Sequence, residues 1–272
     1  MKKKIILIGS NSSLAQQLTK KLENRFKLLK LSRNDVDVVK NFEKLKKIIN
    51  NFKPSILINC VGLTKFIECE VNPTKAYLVN SIFPIKLGQF VAKKNIFLIH
   101  FSTEAVFKDG LKKMPNENFI PMPGTVYGDS KKLADQALLN VKNSLIIRLP
   151  TLIGPTQNHQ IVNKILKKLH KGEKVYVSKD IYSTPISTID FSNFFLNDIL
   201  IKKKFHKKKI IHVCSQKRLS TFQIIKKIID DKKMIENIAP VSEKFFKSNF
   251  VKPKKLGLKS IYKNCTREFI YE

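Results

Sequence analysis

A succession of short aliphatic runs, each followed by a helical pattern, constrains this 272-residue chain more than any other feature. Ile5–Ile8 is apolar at every position, as a strand covered on both faces must be. Leu14–Leu22 then reads as a helix, with Ser12 or Ser13 as its N-cap. Phe26–Leu31 reads as a second strand, Phe42–Ile49 as a helix, and Ser55–Asn59 as a third strand introduced by Pro54. Pro73–Val91 is helical in pattern, and Pro84 within it is expected to kink it or end it early. Ile96–Phe101 and Leu145–Leu149 supply strands four and five. Such alternation predicts βα units around a parallel sheet, an α/β doubly wound fold.

The spacing changes near Pro150. Ile161–His170 reads as a helix stopped by Gly172, Lys174–Val177 as a short strand, and Ile189–Leu200 as a helix. Ile210–Val213 reads as a strand, and Ser220 or Thr221 caps a helix through Ile229. The expected division is a first α/β domain over 1–150 and a smaller lobe over 151–272, with about 189–213 returning to the first sheet. The tail, with Pro240, Pro253 and Gly257, reads as irregular. Lys108–Thr125, rich in proline, is long for a connection and has the length of a functional lid.

The formal charge of +31 suggests a polyanion, yet the excess runs along the whole chain and lysine far outnumbers arginine. Lys202–Lys204 and Lys207–Lys209 read as a solvated turn, so specific nucleic-acid binding is disfavoured. A diffuse positive field would still gather a dianionic ligand. No apolar run approaches the roughly 20 residues that cross a bilayer. Met1-Lys2-Lys3-Lys4 is basic, but Ile5–Ile8 is too short for a signal peptide core, and a cytoplasmic protein is expected. Cys60, Cys69, Cys214 and Cys265 form neither a CxxC pair nor a His/Cys cluster, so no metal and no disulfide framework are expected.

The first strand runs into Gly9-Ser10-Asn11-Ser12-Ser13-Leu14-Ala15, a turn that can face backbone amides and a helix N-terminus towards a pyrophosphate. Only the first glycine of a Gly-x-x-Gly-x-x-Gly turn is present; Ser12 and Ala15 hold the other positions. The Ser12 hydroxyl could replace one amide contact. Leu31-Ser32-Arg33 closes the second strand without an acidic residue for a ribose 2′-hydroxyl, and Arg33 could face a 2′-phosphate, which favours NADPH over NADH. Asn59-Cys60-Val61-Gly62 is either a ligand-hugging segment or an ordinary turn, and Asn80 either an exposed polar residue or a structural hydrogen-bonder. Tyr127 and Lys131 stand four apart, on one helical face, downstream of a strand ending in Ser102-Thr103. There the ammonium is expected to lower the phenol pKa from its free value of about 10, giving a device that moves a proton to or from a carbonyl oxygen.

These residues resemble the extended short-chain dehydrogenase/reductases, and within them the dTDP-4-dehydrorhamnose reductase family. The resemblance rests on Asn59-Cys60-Val61-Gly62, on Glu70-x-x-Pro73 leading to Val79-Asn80, and on His100-Phe101-Ser102-Thr103-Glu104-Ala105-Val106-Phe107. Tyr127-Gly128-Asp129-Ser130-Lys131 and Ile147-Arg148 extend it, with fainter echoes in Ser183-Thr184-Pro185-Ile186 and Lys252-Pro253. It implies a Rossmann-type domain for NAD(P)H, a smaller C-terminal substrate lobe, and reduction of a 4-keto nucleotide sugar in deoxysugar or surface polysaccharide biosynthesis. It implies that Thr103 binds the substrate oxygen, Tyr127 donates the proton, and Lys131 binds the nicotinamide ribose. Gly9, Ser12, Ser13 and Leu14 would meet the pyrophosphate, Arg33 the adenosine end, and Val61, Gly62, Leu63 and Phe101 would run along the cofactor. Glu104 would face the substrate in place of the family's aspartate, and Ala105 replaces a usual tyrosine. The related nucleotide-sugar dehydratases carry two acids after the threonine; here Ala105 follows Glu104, so dehydration is disfavoured. A nucleotide-sugar epimerase and a non-catalytic subunit like the regulatory subunit of methionine adenosyltransferase are the rival readings, and a homodimer is compatible with all of them.

Overall fold

In the computed structural model, β1 (Lys4–Ile8), β2 (Lys27–Leu31), β3 (Ile56–Asn59), β4 (Phe97–Thr103) and β5 (Ser144–Leu149) form one parallel sheet. The structure describes residues 2–154, 161–247, 250 and 252–270. The order across this part of the sheet is β2-β1-β3-β4-β5. Strand order therefore reverses at β1, and a crevice opens beyond the carboxyl ends of β1 and β3, where doubly wound sheets bind ligands.

Apolar residues on both faces of each central strand explain this architecture. Ile5 and Leu7 of β1 join Ile58, Ile99 and Ile147 in a core covered by α1 (Ser13–Leu22). Ile6 and Ile8 join Leu57, Leu98 and Ile146 in a second core, beneath α2 (Phe42–Phe52). Two short helices, α3 (Phe66–Val71) and α4 (Pro73–Tyr77), lead through a π-helical turn, Leu78–Ile82, into α5 (Phe83–Ala92). Pro84 does not end the helical stretch, which runs unbroken over residues 73–92; it directly follows the π turn, where the backbone hydrogen-bond ladder changes register. The π turn carries Asn80 inward, fully buried. Beyond the 108–125 connection, α6 (Val126–Leu139) packs on β4 and β5 and leads into the latter.

After β5 the chain makes β6 (Leu152–Ile153), α7 (Ile161–His170), β7 (Val175–Ser178), β8 (Tyr182–Ser183) and β9 (Ile186–Ser187). It then returns through α8 (Thr188–Phe194) and a second π segment, Phe195–Ile201, to β10 (Ile210–His212), which pairs in parallel with β5. A separate apolar core under α7 and α9 (Thr221–Ile228) contains Val162, Ile165, Val177 and Ile225. Ile238–Val241, in the tail that the sequence leaves irregular, is a strand parallel to β7.

The 108–125 connection is pinned rather than free to act as a lid. Asp109 accepts hydrogen bonds from the Lys254 and Lys255 amides, and the Pro115 carbonyl accepts one from Lys259 N. Glu117 accepts from the His212 and Ile261 amides and from the Ser260 hydroxyl. Among the described residues no helix is long and apolar enough to cross a membrane.

Candidate active site at the switch point

The β1–α1 turn depends on Gly9, whose φ is +82°. A Cβ there would lie 2.9 Å from the Cys60 carbonyl carbon and the Val61 nitrogen, so any side chain would collide with backbone. Ser12 is the N-cap of α1, and its hydroxyl accepts from Ala15 N at 3.3 Å. Accepting there leaves the hydroxyl able to donate its own proton, and the first turn of α1, which carries no acidic residue, supplies an anion-favouring end.

Beside this turn lies a cavity of about 510 Å³. Gly9, Asn11 and Ser12 line one wall, Ser32, Arg33, Asp37 and Lys40 the second, and Cys60, Val61, Gly62 and Leu63 the third. Ser13 and Leu14 stand in the first turn of α1, outside the lining. Asn80 shapes the third wall: its Oδ1 accepts from Leu63 N and its Nδ2 donates to Leu63 O, both at 2.9 Å, and to Ser130 Oγ at 3.1 Å. Arg33 ion-pairs with Asp37 at 3.2 Å and remains largely exposed. The Asp37 carboxylate also accepts from the Val39 and Lys40 amides, and Asp35 is taken up by Ser32. Both carboxylates near the end of β2 are thus occupied by this chain's own donors. Asn11, Lys40 and Lys75 line the cavity too, and as single polar residues of a lysine-rich chain they carry no sequence signal.

The second group of residues gathers at the carboxyl end of β4. Thr103 ends the strand, and its hydroxyl accepts from Ala105 N at 3.2 Å. Tyr127, second in α6, has the Thr103 hydroxyl as a neighbour that favours the phenolate, and its ring packs edge to face with Phe66 at 5.2 Å between centroids. Glu70 on α3 fixes the start of α6 by accepting from Val126 N at 2.8 Å. Gly128 allows the helix to approach: a Cβ there would lie 2.1 Å from the Ala105 carbonyl oxygen. Lys131, one turn on and buried, donates to Phe101 O at 2.5 Å and meets His100 Nε2 at 3.3 Å. Cys60 joins the two groups, lining the cavity while feeling the charge of Lys131.

The electrostatics differ from the expectation of a tyrosine softened by its lysine. Burial pushes the Tyr127 phenol up to about 12, and the neighbouring Thr103 hydroxyl only partly opposes it. Burial likewise brings Lys131 down to about 8, against the pull of Asp135. The amine keeps most of its charge at neutral pH, but it is tied to the Phe101 carbonyl and the His100 imidazole, and burial prevails at the phenol. Tyr127 is accordingly a firmly protonated acid.

Glu104 lies just beyond Thr103, buried, with Ser183 Oγ donating to its Oε1 at 2.6 Å. Its Oε2 has no hydrogen-bond partner among the described residues. Burial raises this carboxyl to about 7, against the hydrogen bond from Ser183 and contributions from Thr151 and Arg218. A raised carboxyl pKa penalises folding as pH climbs, because the unfolded chain ionises near 4.5 while the folded one still holds its proton. Stability should therefore fall between about pH 4.5 and about 7 in the natural chain. Glu104→Gln should flatten that window, a difference approaching roughly 3 kcal/mol at its upper end. Thermal melts of both proteins across the window check this; parallel curves would refute it.

The structure thus fits a dinucleotide: a glycine cradle, a helix N-terminus and a cavity converge at the switch point, with a Thr/Tyr/Lys set alongside. Comparison with known proteins agrees. Over 165 residues the chain is 27% identical to a dTDP-4-keto-6-deoxy-D-glucose reductase of Streptomyces niveus, covering 60% of this chain and 56% of that protein, so the match spans about half the relative's length. Over 249 residues it is 26% identical to a dTDP-4-dehydrorhamnose reductase of Aggregatibacter actinomycetemcomitans, covering 88% of this chain and 83% of that one. The fold superposes with a TM-score of 0.85 on a Bacillus anthracis dTDP-4-dehydrorhamnose reductase solved with NADP, at 24% identity over 95% of this chain and 91% of that one. The model of the family described as the RmlD substrate binding domain matches residues 2–267. With that match spanning both the sheet and the C-terminal lobe, the chain belongs to the RmlD substrate binding domain family.

Proposed function

We propose that this protein reduces the 4-keto group of a nucleotide-activated deoxysugar, with NADPH as the reductant. The observation that carries the reading is the joining of Thr103, Tyr127 and Lys131 at the end of β4 with the cavity beyond β1 and β3. NADPH, when bound, supplies the hydride. Gly9, Val61 and Gly62 would hold it close to backbone, and Arg33 and Lys40 would meet a 2′-phosphate at the far end. The engaged carboxylates of Asp35 and Asp37 leave no free acid at the end of β2 for a 2′-hydroxyl, which favours NADPH over NADH.

Tyr127 holds its proton well above neutral pH and donates it to the sugar oxygen as negative charge develops there. Thr103, beside the same phenol, orients that oxygen. Lys131 anchors the ribose side and stands ready to replace the lost proton. Transfer from a positioned acid of this kind typically contributes about 10²–10⁴-fold. Glu104 and Ser183 form the polar wall on the lobe side of Thr103. Ala105 supplies no second acid for a dehydration. The four cysteines, all unpaired, suit a reducing compartment, and we place the protein in the cytoplasm.

The test is loss of NADPH absorbance with purified protein and dTDP-4-keto-6-deoxy sugars of both C5 configurations. Stoichiometric oxidation with formation of the 4-hydroxy sugar is expected. Isomerised sugar without net NADPH loss would point to an epimerase. Binding of NADPH with no change in any sugar, together with capture of a synthetase, would point to a regulatory subunit.

A further inference from the structure

His100 lies on β4 beside Asn59 of β3, the two being register partners, and is wholly buried. Val61 N meets Asn59 Oδ1 at 3.0 Å. A backbone N–H can only donate, so the amide end facing Val61 is the oxygen and the other end is the NH₂. That NH₂ lies 3.0 Å from His100 Nδ1. Nδ1 is therefore an acceptor. Burial, and next to it the charge of Lys131, holds the ring in its neutral form, which then carries its one proton on Nε2. Nε2 faces Lys131 Nζ at 3.3 Å, while Nζ donates elsewhere, to Phe101 O. An ammonium in that place would set donor against donor. An uncharged amine can turn its lone pair to the imidazole N–H.

We infer that His100, locked by Asn59 as the Nε2–H tautomer, is a positioning residue that points an N–H at Lys131 and so weakens its hold on the third proton. The chain Val61–Asn59–His100–Lys131 thereby ties the wall of the cofactor cavity to the protonation of the active-site lysine. The other titratable groups around Lys131 are Asp135 on α6, which favours the ammonium, the Cys60 thiol, and Tyr127 a turn before. A lysine poised this way gives its proton readily to the phenol after each turnover and takes another from solvent. That catalytic consequence rests on the reductase reading; the tautomer does not.

The decisive experiment is NMR of the full-length protein with ¹⁵N-labelled histidine, followed from mildly acidic to alkaline pH. The chain has five histidines, and H100Q assigns the signal. His100 should show a bare, hydrogen-bonded Nδ1 and a protonated Nε2. Both nitrogens should shift in one step near pH 8 as Lys131 titrates, and K131M should remove the step while leaving the tautomer. N59D is nearly isosteric, and its carboxylate can accept from both Val61 N and the ring. It should put a proton on Nδ1 and move the step upward, towards an ordinary lysine. A protonated Nδ1 in the natural protein, ring shifts that ignore Lys131, or an unchanged tautomer in N59D would each overturn the inference. Because no substrate is involved, these outcomes stand whatever the turnover assay shows.

Discussion

Tyr127→Phe is expected to lower turnover by about 10²–10⁴-fold while leaving NADPH affinity unchanged. The substitution removes one hydroxyl. The ring keeps its edge contact with Phe66 and its place in the apolar group with Cys69 and Ala105. Losing the hydroxyl beside Thr103 should cost no more than about 1 kcal/mol of stability, too little to unfold the chain. The cofactor cavity does not include Tyr127 in its lining, so its walls are untouched. Single-turnover oxidation of bound NADPH, with a separate fluorescence titration of NADPH binding, separates chemistry from affinity. A loss below tenfold would remove Tyr127 as the acid. The pH profile carries a second check. With the phenol raised to about 12 and Lys131 lowered to about 8, a basic limb near pH 8 belongs to the lysine and should persist in Y127F at its reduced rate.

What the sequence discloses and what it hides follow from how far each feature depends on distant residues. Ile5–Ile8 reads as a strand because burial on both faces leaves a purely local mark, and Gly9 at its end reads as a turn for the same reason. Tyr127 and Lys131 are visible because helical spacing alone puts them together, and Thr103 because it ends an apolar run. The raised phenol is not visible: it depends on Phe66, sixty-one positions away, closing over the ring. Asn80 reads equally well as a surface residue because nothing local betrays the π turn that carries it inward. The 108–125 connection reads as a lid until Asp109 and Glu117 are seen bonded to 254–261, contacts made across more than a hundred residues. His100 carries no sequence signal of its tautomer, which only the orientation of Asn59 decides.

Arg148→Met is expected to cost roughly 3–5 kcal/mol of stability, more than any single apolar contact nearby could explain. Arg148 on β5 and Asp135 on α6 are both almost fully buried, and Arg148 Nε donates to Asp135 Oδ2 at 2.9 Å. Ser102 Oγ donates to the same oxygen at 3.0 Å. The guanidinium sits over the Phe107 ring at 5.1 Å, and Nη1 meets His212 Nε2 at 3.4 Å. His212 can accept there because its Nδ1–H is directed at Lys259 O, 3.0 Å away, and burial brings its pKa down to about 4. Burial already holds the Asp135 carboxyl above its ordinary range despite the arginine. Removing the arginine raises it further, so the variant keeps a buried proton that its unfolded chain gives up. The unfolded chain is common to both proteins, so the deficit should stay level while the natural Asp135 is still protonated and grow once pH passes its raised pKa. Denaturant unfolding at several pH values measures this, and a deficit under about 1 kcal/mol, or one flat with pH, would show the pair to be incidental. Replacing both partners, Asp135→Leu with Arg148→Met, should restore much of the loss, because no charge is then left buried alone. The same pair fastens α6 to the sheet within one turn of Lys131. Turnover should fall in the single variant and return only in part in the double, since Asp135 also supplies charge to the lysine.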